Sequence, residues 1–376
     1  MTYKKHLHKL LTFLVEKSGS DLFLTTDFPP AIKHNGELHT LSGQLLTRET
    51  VNEFAAVMTT ESQRATFTAS NELNFAYEVE DLARFRVNIM RQKGREAIVL
   101  RRIPSHIGTP QELGLPEVLK DIALLPRGLV LIAGATGSGK STTLATMVDH
   151  RNRNSAGHII TIEDPIEFVH SHQRSMVHQR EIGMDTDSWQ AALKNALRQA
   201  PDVILVGEIR DRETMEHAIA FAETGHLCLA TLHSNNAVQA LDRVLNFFPP
   251  ERHPQLLSDL SLNLKAVVSQ RLVPLVDGSA RLPAVEVLTQ TPFVSTLIAR
   301  GEFGSLKAVM EKDLQAGMCT FDQSLCLLEE TGKISAQTAI AFAESANNVR
   351  LKMQLRGREA LLQEAQDNAP GLVVRD

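Results

Sequence analysis

A glycine-rich loop between an apolar segment and a helix-compatible segment constrains this sequence most. Residues 129–133 are apolar, residues 134–141 follow with the spacing G-x-x-x-x-G-K-S, and residues 141–150 are compatible with a helix. This strand–loop–helix context predicts a phosphate-binding loop, because the glycines let backbone N–H groups converge on phosphate oxygens. The helix N-terminus adds a partial positive charge. The candidate nucleotide-binding residues are Gly134, Ala135, Thr136, Gly137, Ser138, Gly139, Lys140, Ser141 and Thr142.

Two side chains of this loop have specific expected roles. Lys140 is expected to reach the outer phosphates as a point charge, and the Ser141 hydroxyl is expected to ligate Mg²⁺. A GTPase would share the loop, but the sequence contains no N-K-x-D run to recognise guanine. The expected ligands are therefore ATP and Mg²⁺.

Composition and charge exclude several classes of protein. The net charge is −5, which offers no overall electrostatic support for nucleic-acid binding. The three cysteines form no C-x-x-C pair, as expected in a reducing cytosol without a disulfide or zinc framework. The N-terminus lacks a signal-peptide pattern, and no apolar run approaches the ~20 residues of a membrane span. We therefore expect a cytoplasmic protein without a transmembrane segment, whose membrane contacts are made through a partner.

Changes in pattern along the 376 residues divide the chain into five segments. Residues 1–104 mix helical and strand-like patterns and predict an α+β domain. Residues 105–117 are rich in proline and glycine and predict a linker. From 118 to 289, β–α alternation predicts a parallel sheet with helices on both faces, as in an α/β fold. Residues 290–353 are expected to form a helical C-terminal region, and residues 354–376 a flexible tail.

The N-terminal segment contains a strand-like run in which polar and apolar side chains alternate. Phe85 and Val87 alternate with Arg84 and Arg86, so one face of the strand is expected to be core and the other polar. On this spacing alone, a solvated sheet face is favoured for the two arginines. Contact with a nucleotide or a neighbouring subunit is the alternative.

Polar residues follow three apolar runs of the predicted parallel sheet. Residues 158–162 precede Glu163, residues 203–206 precede Gly207-Glu208, and residues 227–231 precede Leu232-His233. In an open α/β sheet, ligands bind beyond the carboxyl ends of the strands. We therefore expect these side chains beside the phosphate-binding loop.

The two carboxylates suit the two tasks that phosphoanhydride hydrolysis requires. Glu163 is the candidate for activating water and Glu208 for holding the hydration shell of Mg²⁺, and the sequence leaves the exchange of these roles open. His233 is a candidate sensor of the γ-phosphate by hydrogen bonding. A packing or capping histidine is the alternative.

These motifs together resemble the hexameric motor ATPases of type IV pili and type II secretion, and most of all the PilT/PilU family of pilus retraction. Residues 163–167 resemble the aspartate box of these ATPases, residues 202–211 their Walker B region, and residues 225–243 their histidine box. The resemblance covers roughly residues 1–350. It implies a PAS-like N-terminal domain, a RecA-like core, a homohexamer and ATP bound between domains. It also favours a nucleotide or subunit-interface position for four arginines, Arg84, Arg86, Arg101 and Arg210.

The C-terminal region bears on the branch within this family. Retraction motors of the PilT type carry the signature A-I-R-N-L-I-R-E, and the aligned residues 293–300 keep the apolar positions but replace both arginines and the asparagine. Residues 317–325 resemble the PilU version of the following segment. The resemblance implies an accessory retraction ATPase that works with a PilT-type ATPase and an inner-membrane pilus platform protein.

Other functions remain as alternatives. A self-sufficient PilT-type motor is one, and a type II secretion or pilus-assembly ATPase is another. A nucleic-acid translocase would need a basic stripe, which the acidic balance does not show. A structural ring component with little turnover is disfavoured by the intact Lys140, Glu163 and Glu208.

Overall fold

The computed structural model describes residues 3–313 and 317–367. Within these ranges the chain forms two compact units. The first comprises the chain up to Ile107 together with Ile166–His170, and the second comprises Gly108–Pro165 and the chain from Ser171 onward. None of the helices in the described part of the chain is long and apolar enough to cross a membrane.

The first unit combines helices with an antiparallel sheet. Its helices are α1 (Tyr3–Glu16), α2 (Arg48–Met58) and α3 (Glu61–Ser70). Its strands are β1 (Asp21–Thr25), β2 (Ala31–His34), β3 (Glu37–Thr40), β4 (Glu72–Val79), β5 (Ala83–Gln92) and β6 (Arg95–Ile103). The sheet order is β3-β2-β1-β6-β5-β4, and every neighbouring pair is antiparallel. The predicted α+β class of this segment is confirmed.

Local signals in the sequence explain two features of this unit. Asn35 and Gly36 connect β2 to β3 with φ of 50° and 86°, the left-handed conformation that an Asn-Gly hairpin turn requires. Helix α3 has no apolar periodicity, because Phe67 is the only one of its residues that is buried. Its signal is a capping box, in which the Thr60 hydroxyl accepts from Gln63 N and the Gln63 side chain accepts from Thr60 N.

The second unit is built on a seven-stranded sheet in the order β13-β12-β7-β11-β10-β8-β9. All neighbours are parallel except β12 and β13. Its strands are β7 (Gly128–Ala133), β8 (Gly157–Glu163), β9 (Ser175–Glu181), β10 (Val203–Val206), β11 (Leu227–Leu232), β12 (Leu264–Pro274) and β13 (Arg281–Thr289). Its helices up to β12 are α4 (Val118–Ala123), α5 (Lys140–Asn154), α6 (Trp189–Ala196), α7 (Arg212–Glu223), α8 (Ala237–Asn246) and α9 (His253–Asn263).

Helices cover both faces of this sheet, as the β–α alternation predicts. Consecutive residues of β7 point to opposite faces. Leu131 packs in one hydrophobic cluster with α6 to α9, and Ile132 packs in another with α4 and α5. A strand buried on both faces explains why β7, β10 and β11 read as continuous apolar runs rather than as alternating ones. The expected mixed α/β fold with a parallel core is confirmed.

The C-terminal region is helical. Its helices are α10 (Pro292–Ala299), α11 (Leu306–Lys312), α12 (Phe321–Glu330), α13 (Ala336–Phe342) and α14 (Ala346–Asp367). Phe321, Leu325 and Val349 pack against Val273 and Ala284 of β12 and β13, which attaches α12 and α14 to the sheet. The tail predicted from residue 354 begins inside α14, and residues 368–376 lie outside the described residues.

Candidate active site

The glycine-rich loop joins β7 to α5 in a tight curve. Gly137 and Gly139 have φ of 76° and 89°, which other residues rarely adopt. A Cβ atom at Gly134 would lie 2.3 Å from Ser138 Oγ and 2.7 Å from the Gln270 carbonyl oxygen. The first glycine of the motif is therefore required by the close approach of β12, and the others by the left-handed turn.

Lys140 lies across this curve at the start of α5. Its Nζ donates to the carbonyl oxygens of Gly134 at 2.8 Å and Ala135 at 3.0 Å, and its side chain is buried. These contacts hold the ammonium group inside the loop. It is thus placed where a phosphate bound by the loop would need a fixed positive charge.

Gln270 of β12 supports the loop from behind and is not among the predicted site residues. Its Oε1 accepts from the Thr143 hydroxyl at 2.6 Å, and a Cβ atom at Gly139 would lie 2.7 Å from its Nε2. The available signal was a pair of polar residues, Ser269 and Gln270, within an apolar strand, and both are buried. A buried amide in a sheet needs hydrogen-bond partners, and the Thr143 hydroxyl on the first turn of α5 provides one.

The hydroxyl groups of the loop and of the first turn of α5 suit a bound phosphate and its cation. The Ser138 hydroxyl is buried and has no hydrogen-bond partner among the described residues. A buried polar atom without a partner is costly unless a ligand satisfies it. Ser141 and Thr142 are half-buried in the first turn of α5, where hydroxyl oxygens suit a hard cation such as Mg²⁺.

Three neighbouring strands bring Glu163, Glu208 and His233 to the same edge of the sheet as the loop. Strands β8, β10, β11 and β7 are parallel neighbours, with Ile162, Val206 and Ala230 in register across the first three. Glu163 ends β8, Glu208 follows β10, and His233 follows β11. The carboxyl ends of all four strands thus carry the loop and the three candidate side chains.

Gly207 lets the ends of these strands approach closely. Its N–H donates to the Ile162 carbonyl oxygen at 2.8 Å, and a Cβ atom there would lie 3.1 Å from that oxygen and 3.2 Å from Glu163 Cα. The Thr231 hydroxyl donates to the Gly207 carbonyl oxygen. The backbone before Glu208 is therefore tied to both β8 and β11.

Glu208 is held by two nitrogen-bearing side chains. Its Oε1 lies 3.0 Å from His233 Nε2, and its Oε2 accepts from Arg210 Nε at 2.7 Å. The Arg210 guanidinium also lies 3.7 Å from the Asp164 carboxylate, just beyond β8. The structure therefore brings Glu208, His233 and Arg210 into one network.

Glu163 accepts hydrogen bonds from a hydroxyl on its own strand and from an amide on the neighbouring strand. Its Oε1 accepts from the Thr161 hydroxyl at 2.6 Å and from Gln179 Nε2 at 3.2 Å. Gln179 was not predicted as a site residue. It lies on β9 directly opposite Thr161, which only the pairing of β8 with β9 reveals.

The other candidate arginines belong to the sheet of the first unit. Arg86 of β5 lies opposite Arg101 of β6, and Arg101 in turn lies opposite Asp21 of β1. The Arg101 Nε donates to Asp21 Oδ1 at 2.8 Å, although 68% of the Arg101 side chain is exposed. The Arg84 Nε is buried and has no hydrogen-bond partner within the described ranges.

Comparison with known families identifies the chain. The family model described as "Type II/IV secretion system protein" matches residues 41–365. This chain belongs to that family. The similarity to the PilT/PilU ATPases predicted from the motifs is confirmed by relatives along nearly the whole length of the chain.

Two relatives come from Pseudomonas aeruginosa. The type IV pilus ATPase PilU is 53% identical over 347 residues, which cover 92% of this chain and 91% of PilU. The type IV pilus retraction ATPase PilT is 41% identical, over 90% of this chain and 98% of PilT.

Two solved structures share the fold of this chain. A crystal structure of the pilus retraction motor PilT with bound ADP has a TM-score of 0.83 and 37% identity, over 90% of this chain and 96% of that chain. The Legionella pneumophila ATPase DotB has a TM-score of 0.77 and 26% identity, over 90% of this chain and 95% of that chain.

Proposed function

We propose that this chain is an ATPase that powers or assists type IV pilus retraction, as a PilU-like accessory to a PilT-type motor. The observation that carries the proposal is one sheet edge that combines a phosphate-binding loop, a lysine held inside it and two carboxylates. These are the groups that ATP hydrolysis requires. The 53% identity with PilU supports the assignment to pilus retraction.

In this proposal the loop and α5 bind the phosphates of ATP. The backbone N–H groups of residues 134–142 cradle the phosphates, and Lys140 leaves its carbonyl partners to neutralise the outer phosphate oxygens. The Ser141 hydroxyl would be a ligand of Mg²⁺, and the ion would supply charge neutralisation. Glu208 would hold the hydration shell of the ion.

Glu163 is the proposed group that orients and activates the attacking water. The Thr161 hydroxyl and the Gln179 amide both donate to its carboxylate and fix its direction. A base held in one orientation by hydrogen bonds is the arrangement that proton abstraction needs. The exchange of roles between Glu163 and Glu208 is the alternative, and glutamine substitutions at the two positions separate the two assignments.

His233 and Arg210 are proposed to respond to the γ-phosphate through Glu208. Both contact its carboxylate, one on each oxygen. A change in charge next to Glu208 would therefore alter both contacts at once. The Arg210 side chain, which is 56% exposed, could turn toward a nucleotide or a neighbouring subunit.

The proposed assembly is a homohexamer of units like this one. PilT and DotB, both similar along 90% of this chain, support a common mode of oligomerisation. We propose the PAS-like segment 1–104, linker 105–117, RecA-like core 118–289 and helical region 290–353 as its functional divisions. Arg84, Arg86 and Arg101 would contact nucleotide or a neighbouring subunit. The hexamer would act in the cytoplasm, bound to the inner membrane through the pilus platform protein.

The accessory role is supported by helix α10, where the retraction signature of PilT is altered. The Ser295 hydroxyl donates to the Ser261 carbonyl oxygen, and the Thr296 hydroxyl donates to the Pro292 carbonyl oxygen at 2.9 Å. Both groups are thus used inside the chain, at positions where the signature has arginine and asparagine. We propose that this helix cannot couple ATP hydrolysis to retraction without a PilT-type partner.

A motility experiment tests the accessory role. In a strain that lacks the PilT-type partner and overproduces this protein, we expect no twitching and no pilus-dependent DNA uptake. In a strain that retains the partner, loss of this protein should lower the force of retraction. Immunoblots of both strains control for protein level. Normal twitching in the first strain would make this chain a self-sufficient motor.

A further inference from the structure

A cluster of charged side chains lies where the C-terminal helices meet the sheet. We call the carboxylates of Glu286, Asp322 and Glu344 with the cations of Lys307 and Arg271 the charge cluster. Glu286 and Asp322 are 3% and 1% exposed. Buried polar and charged groups need hydrogen-bond partners, so this cluster has a defined geometry rather than a solvated one.

Glu344 is the centre of the charge cluster. It lies in the short connection between α13 and α14, at residues 343–345. Its Oε2 accepts from Lys307 Nζ at 2.8 Å, and its Oε1 lies 3.4 Å from Arg271 Nη2. Its own backbone N–H donates to Asp322 Oδ1 at 2.8 Å. The connection is therefore tied to α11, α12 and β12 at once.

The same carboxylate reaches the loop that carries His233. Asn236 Nδ2 donates to Glu344 Oε1 at 2.7 Å, while the Asn236 Oδ1 accepts from Gln239 N and caps helix α8. Arg271 Nη2 donates to the Asn235 carbonyl oxygen at 3.2 Å. Residues 233–236 are thus held at one end by Glu208, through His233, and at the other end by the charge cluster.

A second contact fixes the start of α8 from the same cluster. Glu286 Oε1 accepts from the Ala237 N–H at 2.7 Å, in a buried position. Burial raises the pKa of Glu286 to about 7, and the charge of Glu344 acts in the same direction. Helix α8 is thus attached to β13 through Glu286. Its N-cap residue, Asn236, attaches it to the connection between α13 and α14 through Glu344.

We propose that Glu344 is a positioning residue of the hydrolytic site, which sets the distance between His233 and Glu208 by holding residues 233–236 to the C-terminal helices. A displacement of α13 and α14, such as a partner bound to them could produce, would then change ATP turnover. This inference rests on the proposed role of His233 at Glu208. It extends that proposal to the way in which the C-terminal region controls the site.

The substitution Glu344→Ala in the full chain tests the inference. We expect kcat for ATP to fall about tenfold, because misplacement of a reacting group by about 1 Å can cost up to ~10²-fold in rate. The dissociation constant for ATP should stay within about twofold, because Glu344 does not contact the loop at 134–142. A fall in kcat with an unchanged dissociation constant marks an effect on turnover rather than on binding. The variant Glu344→Gln keeps an oxygen acceptor for Asn236 and should recover most of the lost rate.

The matched control is Glu329→Ala. Glu329 also pairs with a cation, Arg356, and joins α12 to α14, but these contacts do not reach residues 233–236. Its kcat should stay close to that of the wild type. Equal losses of kcat in Glu329→Ala and Glu344→Ala would overturn the inference. It would also be overturned if the dissociation constant for ATP rose in Glu344→Ala by the same factor by which kcat fell.

A second variant keeps the test valid if Glu344→Ala folds poorly. Asn236→Ser retains a good N-cap residue for α8 but removes the amide that donates to Glu344. It should lower kcat with the midpoint of thermal unfolding close to that of the wild type. Unchanged kcat in this variant would overturn the inference.

A double-mutant cycle separates this inference from the proposal on which it rests. If Glu344 acts through His233, adding Glu344→Ala to His233→Ala should cause little further loss of kcat, because coupled residues are not additive. Fully additive losses would overturn the inference alone, and so would a loss in His233→Ala with none in Glu344→Ala. Unchanged kcat in His233→Ala would overturn both the role of His233 and the inference.

Discussion

The two halves of the candidate site are built in different ways. The phosphate-binding loop at 134–142 is built from consecutive residues, and its lysine donates to carbonyl oxygens of its own loop. The opposite half is made of side chains from three strand ends, with Glu163 held by Thr161 and Gln179 and Glu208 held by His233 and Arg210. We infer that damage to the loop weakens binding and turnover together. Damage to the carboxylate half should lower turnover while ATP still binds.

Loss of Lys140 should have the largest effect. In Lys140→Ala the developing charge on the phosphates loses its nearest fixed cation, and loss of one such contact typically costs about 10²–10³ in rate. Binding of ATP should weaken as well, which steady-state turnover and equilibrium binding measure separately. Turnover within about threefold of the wild type would contradict the assignment of the loop.

Replacement of Glu163 should separate binding from turnover. Glu163→Gln keeps the shape of the side chain and removes the base, so hydrolysis should fall by at least about 10²-fold while ATP still binds and stays in the site. Retained radiolabelled ATP after gel filtration measures this trapping. Unchanged hydrolysis in Glu163→Gln, together with loss in Glu208→Gln, would reverse the proposed roles.

Arg210 should matter less, and its neighbour Arg212 provides a control. Arg210→Ala removes one contact of Glu208, and we expect a loss of about tenfold or less in kcat, because exposed ion pairs are screened by solvent. Arg212 pairs with Glu216 on α7 instead, at 2.8 Å. Its alanine variant should keep the rate of the wild type. Equal losses in both variants would show that the Glu208 contact has no specific role.

Glu286 should affect stability and its pH dependence more than turnover. Burial raises the pKa of Glu286 from 4.5 to about 7 in the folded chain. Between these values the folded state holds a proton that the unfolded state has released, so the free energy of unfolding falls as pH rises. At about 1.4 kcal/mol per pKa unit, the fall is on the order of 3 kcal/mol.

Thermal unfolding at several pH values checks this effect. Glu286→Gln has no titrating group at this position and should lack this pH dependence. The stability of the variant relative to the wild type should therefore rise from pH 5 to pH 8. A constant difference across this range would contradict the raised pKa.

The contiguous and periodic features of this protein could be predicted from the sequence. The loop at 134–141, the hairpin turn at Asn35-Gly36 and the alternating strand β5 depend on neighbours in the chain. The convergence of Glu163, Glu208 and His233 could be predicted as well, because parallel strands in an α/β sheet present their carboxyl ends at one edge. Helix α3 escaped the apolar pattern because, of its residues, only Phe67 is buried.

Contacts between distant segments could not be predicted. Gln270 reaches Thr143 across β12 and α5, Gln179 reaches Glu163 across β8 and β9, and Glu344 reaches Asn236 across the C-terminal helices. Apart from the polar pair at 269–270 within an apolar strand, the residue types at these positions do not differ from those of ordinary surface residues. Their partners depend on strand order and helix packing, and no spacing in the sequence encodes these.

The sequence by itself determined the chemistry of this protein, because a phosphate-binding loop needs only consecutive residues with the right backbone freedom and one cation. The tertiary structure alone decided how that chemistry is held in place. The order β8-β10-β11-β7 puts Glu208 beside His233, and the packing of α12 to α14 on β12 and β13 brings Glu344 to the His233 loop. The physical reason is the range of the interactions: backbone conformation is local, whereas side-chain hydrogen bonds and burial join residues far apart in the chain.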